Sequence, residues 1–284
     1  MKWTNLVVNG RPHAGLVVGD KVHLHDAGDV KDVLADLGAA ADIAMAGEAV
    51  ALSDVRLRQP ILRPGKILGI GVNYAAHAKE SVSFIKTTPA SVQKWFNKQA
   101  TAANGPYDPV HLPLVSEQLD YEAELVAIIG KTGRHVPETR ALEMIAGYCC
   151  GCDVSVRDWQ RASQTMIMGK GFDTHAPFGP YLVTPDEIED FESLNVRGYV
   201  NGELRQSGQP RDMVFSLSQQ IAHLTKAFTL EPGDVIFTGT PAGVGAGFDP
   251  PKWLKAGDRV RVEIDGLGHI ENEIEREPER LVLK

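Results

Sequence analysis

Asp120-Tyr121-Glu122-Ala123-Glu124-Leu125-Val126-Ala127-Ile128-Ile129 is the stretch on which the fold turns. The apolar run from Leu125 to Ile129 is too long for a strand wetted on both faces. The segment therefore reads as a β-strand that carries two carboxylates into a core. Side chains two apart on a strand share a face, which sets Glu122 and Glu124 roughly 6–7 Å apart at the backbone and pointing the same way. Burying one unpaired carboxylate is costly, and a second like charge beside it raises the cost. A hard divalent cation between them resolves the conflict. The alternative is that both glutamates line the wet face of a half-buried strand.

Around this stretch, strands are expected at 67–72, 148–154, 196–201, 234–237, 259–264 and 268–274, with hairpin turns at Asn201-Gly202 and Asp265-Gly266. Helical spacing recurs at 73–80, 138–147, 155–163 and 216–228, the last with Ser216 as N-cap. Irregular strand spacing with few helices predicts a mixed α/β, mainly β fold, a largely antiparallel β-roll or β-sandwich rather than a regular βαβ array. Residues 3–25 carry turn signals at Asn9-Gly10 and Gly19-Asp20, and 29–51 show helical spacing. These predict a small N-terminal α+β subdomain over residues 1–60, a linker at Pro60 to Gly65, and a catalytic domain over 66–284. Residues 81–94 show no clear periodicity, which suits a loop that is disordered or serves as a lid.

A chain of 284 residues that is 43% hydrophobic is long enough for one large core plus a small appended unit. Its net charge of −8 argues against nucleic acid or an anionic membrane as partner. No signal-peptide pattern opens it and no apolar run approaches the ~20 residues that span a bilayer, so a cytoplasmic protein is expected. The cysteines, Cys149, Cys150 and Cys152, form one cluster of odd number. Buried packing thiols at a helix-to-strand passage are expected there rather than a disulfide framework.

Asp153 ends an apolar run and is a candidate third carboxylate ligand, leaving about three positions of an octahedral Mg²⁺ for water and substrate. It could equally cap a helix beginning near Ser155. If 73–80 is helical, His77 and Glu80 share a face at i and i+3, so the carboxylate can orient the imidazole as a general base. A surface polar pair is the plainer alternative. Gly69-x-Gly71 is not a dinucleotide loop, because Tyr74 stands where a third glycine is needed. The strand 234–237 runs into the glycine-rich Thr238–Gly245 segment, which lacks the Gly-Lys-Ser/Thr of a nucleotide loop. Such a loop can still offer N–H groups and a hydroxyl to a carboxylate. Arg157 and Lys170 follow Asp153 and are cations suited to an anionic substrate.

Together these segments resemble the fumarylacetoacetate hydrolase family from about Lys66 to Ile274. The resemblance rests on Gly71-Val-Asn-Tyr-Ala-Ala-His77-Ala-Lys-Glu80, Trp95-Phe96-Asn97-Lys98, Tyr121-Glu122-Ala-Glu124-Leu, Gly147-Tyr-Cys-Cys-Gly-Cys-Asp153-Val, Arg157-Asp-Trp-Gln160, Gly169-Lys170, Val200-Asn-Gly-Glu-Leu-Arg-Gln206 and Phe237-Thr-Gly-Thr240-Pro-Ala-Gly-Val-Gly. It is similar to the acylpyruvate hydrolases and 2-hydroxyhepta-2,4-diene-1,7-dioate isomerases of that family.

The resemblance implies a β-roll catalytic domain, usually a homodimer, with Mg²⁺ (or Mn²⁺ or Ca²⁺) on Glu122, Glu124 and Asp153. It also implies a His77–Glu80 dyad as base for water, on a lid. Lys170 and Gln160 would polarise the reacting groups, and Tyr74, Lys98, Arg157 and Thr240 would hold a small anionic 2-oxo acid substrate. The expected reaction is hydrolysis of a C–C bond in a 1,3-diketo acid of the acylpyruvate or fumarylpyruvate kind. The alternatives are a keto–enol isomerase or decarboxylase of 2-oxo dicarboxylic acids in aromatic catabolism and, more remotely, a noncatalytic metal-binding fold. One departure stands out. Before Trp95-Phe96 related chains often carry a Pro-x-x-Phe-x-Lys run, whereas Lys94-Trp95-Phe96-Asn97-Lys98 has no such proline and adds a bulky tryptophan, which leaves room for a larger or aromatic substituent on the substrate.

Overall fold

The strand Ala123–Ile129 is buried along its whole length. In the computed structural model, which describes residues 1–85 and 91–279, it lies inside a 12-stranded sheet. Its neighbours are Ile145–Cys152 and Val235–Phe237, both antiparallel to it. Its side chains alternate between two cores. Leu125, Ala127 and Ile129 face a cluster with Val196, Val262, Ile264 and Ile270, while Val126 and Ile128 face one with Trp3, Phe178 and Phe237. Being buried on both faces explains the uninterrupted apolar run.

The first of those clusters joins the large sheet to a second, five-stranded one built on Val196–Val200, Glu203–Gly208, Arg259–Ile264 and Gly268–Arg276, with Val110–Leu112 at its edge. Most pairings are antiparallel; Val235–Phe237 runs parallel to Ile67–Gly71. The fold is thus mixed α/β and mostly sheet, as its sequence suggests.

At the N-terminus, Lys2–Val8 and Arg11–Val18 form a hairpin whose turn residues Asn9 and Gly10 both have positive φ, as a two-residue turn of this hand requires. Lys2–Val8 also pairs with Ala176–Val183, so residues expected to form a separate subdomain share the main sheet. The helical spacing at 29–51 resolves into a 3₁₀ turn, Val30–Val33, a helix, Leu37–Ala46, and a short strand, Ala49–Ala51.

Two helix expectations shift. Glu138–Met144 is 3₁₀, and Ile145 already belongs to the strand Ile145–Cys152. Pairing across the register Ala123↔Cys152 to Ile129↔Ile145 overrides local spacing there. The three cysteines therefore sit within a strand rather than at a helix-to-strand passage, all of them buried free thiols. Ser155–Val156 pairs with Leu119–Asp120, leaving only Arg157–Ala162 helical. By contrast, Leu217–Ala227 is a helix, and Ser216 caps it by accepting the Gln219 N–H while Gln219 reaches back to the Ser216 N–H. Of the stretch 81–94, residues 81–85 continue the helix Ala75–Ile85, Lys94 opens the strand Lys94–Lys98, and 86–90 lie outside the described residues. Among the described residues no helix is long and apolar enough to cross a membrane.

Candidate active site

The two central strands deliver the carboxylates. The pairing Ala123↔Cys152 sets Glu122 opposite Asp153, and the Asp153 N–H donates to the Glu122 carbonyl at 2.9 Å. Glu124 lies two residues further on. One oxygen from each of Glu122, Glu124 and Asp153 lies within 4.8 Å of the others, and all three side chains are buried. A cation that keeps its ligands at 2.0–2.6 Å holds oxygens roughly 3–5 Å apart. Three hard, buried oxygen donors at this spacing fit a divalent ion between Mg²⁺ and Ca²⁺ in size. Asp153 does not cap the following helix; Val156 holds that position without a side-chain bond.

Cations pack behind the triad. The Lys170 ammonium bridges Glu122 at 2.9 Å and Asp153 at 2.6 Å. Lys98 lies 2.5 Å from the other Asp153 oxygen and also donates to the Val154 carbonyl. Arg157 reaches Glu122 through Nη1 at 2.7 Å. Burial alone would raise the Glu122 carboxyl, but Lys170, Arg157 and His77 outweigh it and hold that group well below the usual carboxylate range. Glu124 goes the other way, because burial and then the charges of Asp153 and Glu122 push it well above that range. Burial lowers the Lys98 ammonium despite Asp153 beside it, whereas Asp153 and Glu122 overcome burial and raise Lys170.

The helix Ala75–Ile85 carries the base. His77 Nδ1 lies 2.9 Å from Glu80 Oε2, the pair one helical turn apart, and His77 is buried. The second Glu80 oxygen accepts the Gly243 N–H at 2.9 Å. The Glu80 carboxylate is thus held from two sides, and it in turn orients the imidazole.

Gly243 belongs to the glycine-rich segment, whose N–H groups serve the protein's own carboxylates. The Gly239 N–H donates to Glu124 at 2.7 Å, Gly243 to Glu80, and Gly245 and Ala246 to the two oxygens of Asp120 at 2.7 and 3.0 Å. Glycine is obligatory at 243, where φ is +109° and a Cβ would fall 1.8 Å from the Arg205 carbonyl. Asp120 completes its set with the Tyr121 N–H and Arg157 Nε, at 2.9 and 2.8 Å. One loop thereby ties the dyad, the triad and the triad's arginine together.

His77, Glu122, Arg157, Gln160, Lys170 and Thr240 line one cavity of about 60 Å³, with Ile70, Val72, Phe96, Met166 and Lys94 completing its walls. Gln160 accepts from Arg157 Nη1 at 2.9 Å. Two predicted substrate holders do not line it. Lys98 is spent on Asp153, and the Tyr74 phenol is buried, its pKa raised by burial and by Glu124. Thr240 reaches the cavity, yet its hydroxyl donates to the Ala123 carbonyl and accepts from Gln206. A roomier hollow beside Trp159, Met168 and Phe172 contains neither the triad nor the dyad. Asp120, Gln206, Phe96 and Lys94 lie in stretches that the sequence singled out, but sequence reasoning gave none of them a role of its own. For Asp120 a signal existed, since it immediately precedes the glutamate pair in an apolar context.

The sequence model described as Fumarylacetoacetate (FAA) hydrolase C-terminal matches residues 66–275. The chain is 45% identical over 224 residues to the mitochondrial oxaloacetate tautomerase fahd2 of Xenopus laevis, covering 78% of this chain and 69% of that one. It superposes on a fumarylacetoacetate hydrolase from the psychrophile Exiguobacterium antarcticum with a TM-score of 0.84 at 36% identity, over 98% of this chain and all of the other. The maleylpyruvate hydrolase of Sphingobium sp. SYK-6, solved with manganese(II) and pyruvate, superposes with a TM-score of 0.82 at 30% identity, again over 98% of this chain and 100% of that one. The chain belongs to the fumarylacetoacetate hydrolase family, whose members named here are enzymes.

Proposed function

We propose that this chain enolises a small 2-oxo acid, with keto–enol tautomerisation as its overall reaction and a divalent cation on Glu122, Glu124 and Asp153 as its cofactor. The observation that carries this reading is that Glu122, one member of a buried carboxylate triad, and a carboxylate-held histidine line the same cavity. When bound, a cation of the Mg²⁺ or Mn²⁺ kind would supply Lewis acidity to the 2-oxo group. His77, with Nδ1 committed to Glu80, takes the substrate's C3 proton through Nε2 and passes it to water, while the enolate oxygen gains a proton from water. Glu80 stabilises the imidazolium while that proton is held, and the Gly243 N–H keeps Glu80 in place. Lys170 and Arg157 keep Glu122 anionic and immobile. General base assistance of this kind contributes ~10²–10⁴-fold. The tautomerase relative and the hydrolase relative holding manganese and pyruvate support the reading.

A second reading is hydrolysis of a C–C bond in a 1,3-diketo acid. It is favoured by likeness to two hydrolases over nearly the whole chain. There the dyad would deprotonate water instead of carbon. Incubation with oxaloacetate and with a panel of acylpyruvates, with and without EDTA, separates the two by product. Enol loss without new carbon products means tautomerisation, two fragments mean hydrolysis, and carbon dioxide means decarboxylation. No change in any substrate with metal bound sinks both readings.

A further inference from the structure

Lys94, Phe96 and Lys98 are alternate residues of one strand and therefore share a face. Lys98 grips Asp153 behind the triad. The Phe96 ring lies under the Lys170 ammonium, 4.8 Å from nitrogen to ring centroid, and the glycine opposite it is needed, since a Cβ at Gly69 would meet the ring at 2.4 Å. Lys94 stands four residues from Lys98, roughly 13 Å along the strand at ~3.4 Å per residue. It pairs in register with Gly71 and lines the same cavity.

The three deeper cations are already committed. Lys98 and Lys170 hold the triad, and Arg157 holds Glu122 and Asp120. The half-buried side chain of Lys94 has no ion pair or hydrogen bond among the described residues. The one acidic residue among the described residues lining that cavity, Glu122, is already held by Arg157 and Lys170. An ammonium on the cavity wall calls for an anion, and the cavity is where one would come from.

We propose that Lys94 binds a second anionic group at the end of the substrate away from the triad, which makes 2-oxo dicarboxylic acids the substrate class. The assignment rests on the enolisation reading above. It makes Lys94 a specificity residue within the segment where this chain departs from the family pattern.

Deuterium exchange at C3, followed by proton NMR with Mg²⁺ present, gives one readout for a dicarboxylate (oxaloacetate) and a monocarboxylate (pyruvate). The wild type should favour the dicarboxylate in kcat/KM. Lys94→Met should cut that preference by about 10- to 100-fold, the range expected for one charged hydrogen bond, with the loss mainly in KM. Lys94→Arg, which keeps the charge, should restore most of it and guards against a folding artefact. A Lys94→Met enzyme with undiminished preference, or a wild type with none, overturns the assignment while leaving enolisation standing. Exchange of neither acid by the wild type overturns enolisation and the Lys94 assignment together.

Discussion

Replacing Asp120 by asparagine tests whether the glycine-rich loop and the triad form one network. Asp120 is fully buried and accepts four hydrogen bonds, from the Tyr121 and Gly245 N–H groups on one oxygen and from Ala246 N–H and Arg157 Nε on the other. An asparagine keeps the shape but turns one oxygen into a donor. Whichever way its amide points, two buried donors then face an NH₂ group. Each orphaned donor costs about 1–3 kcal/mol, and more when it is charged. The total should be about 3–5 kcal/mol, the range found for breaking a buried ion pair. At about 2–4 °C per kcal/mol this lowers the melting temperature by roughly 6–20 °C. Circular dichroism during a thermal ramp reads the shift, with Glu143→Gln as control. Glu143 forms an equally short pair with Arg140, but both side chains are more than half exposed, so little change is expected. If Asp120→Asn melted with the control, the network would not bear on stability and the argument would fail.

His77→Ala should lower turnover ~10²–10⁴-fold while leaving the affinity for Mg²⁺ within a few-fold, as kinetics and titration calorimetry together would show; loss of metal binding would move His77 into the ligand set. Glu124, whose carboxyl is raised by burial and its acidic neighbours, keeps its proton at pH values where ordinary carboxylates have lost theirs. A cation must displace that proton, so apparent affinity should rise with pH and flatten above the Glu124 pKa. Calorimetry in buffers of different ionisation heat should find proton release that fades as pH rises past that pKa, and none in Glu124→Gln. His175 is buried, donates its Nε2–H to the His111 carbonyl, and burial pushes its imidazole down to about 3. Its contribution to stability is complete above the unfolded value near 6.5 and declines as pH falls toward 3, because only the unfolded chain takes up the proton. Between pH 7 and 4.5 the wild type should lose about 2–3 kcal/mol more than His175→Gln in urea unfolding; equal losses would contradict the assignment.

What could be read from sequence was what short-range periodicity encodes. The alternation of Glu122 and Glu124, the single helical turn between His77 and Glu80, and the Ser216 cap are set within a few residues, and each takes the expected geometry. Partners from distant parts of the chain were not legible. Local spacing could not show that Ile145–Ile129 pairing ends the expected helix at Met144. Nor could it show that the glycine-rich loop turns its N–H groups on Glu80, Asp120 and Glu124 instead of on a ligand. Lys98 and Lys94 look alike in sequence, and only the strand pairing separates a lysine spent on Asp153 from one facing the cavity.

The central claim is that the triad and the dyad together remove a proton from carbon next to a 2-oxo group. Its most direct measurement is C3 proton exchange of oxaloacetate or another 2-oxo acid in deuterium oxide, followed by NMR before any other product forms. The account predicts enzyme-dependent exchange with Mg²⁺ or Mn²⁺ that EDTA abolishes and that Glu122→Gln and His77→Ala each reduce by at least tenfold. Metal and 2-oxo acid bound together, as shown by calorimetry, with exchange no faster than in buffer would contradict it.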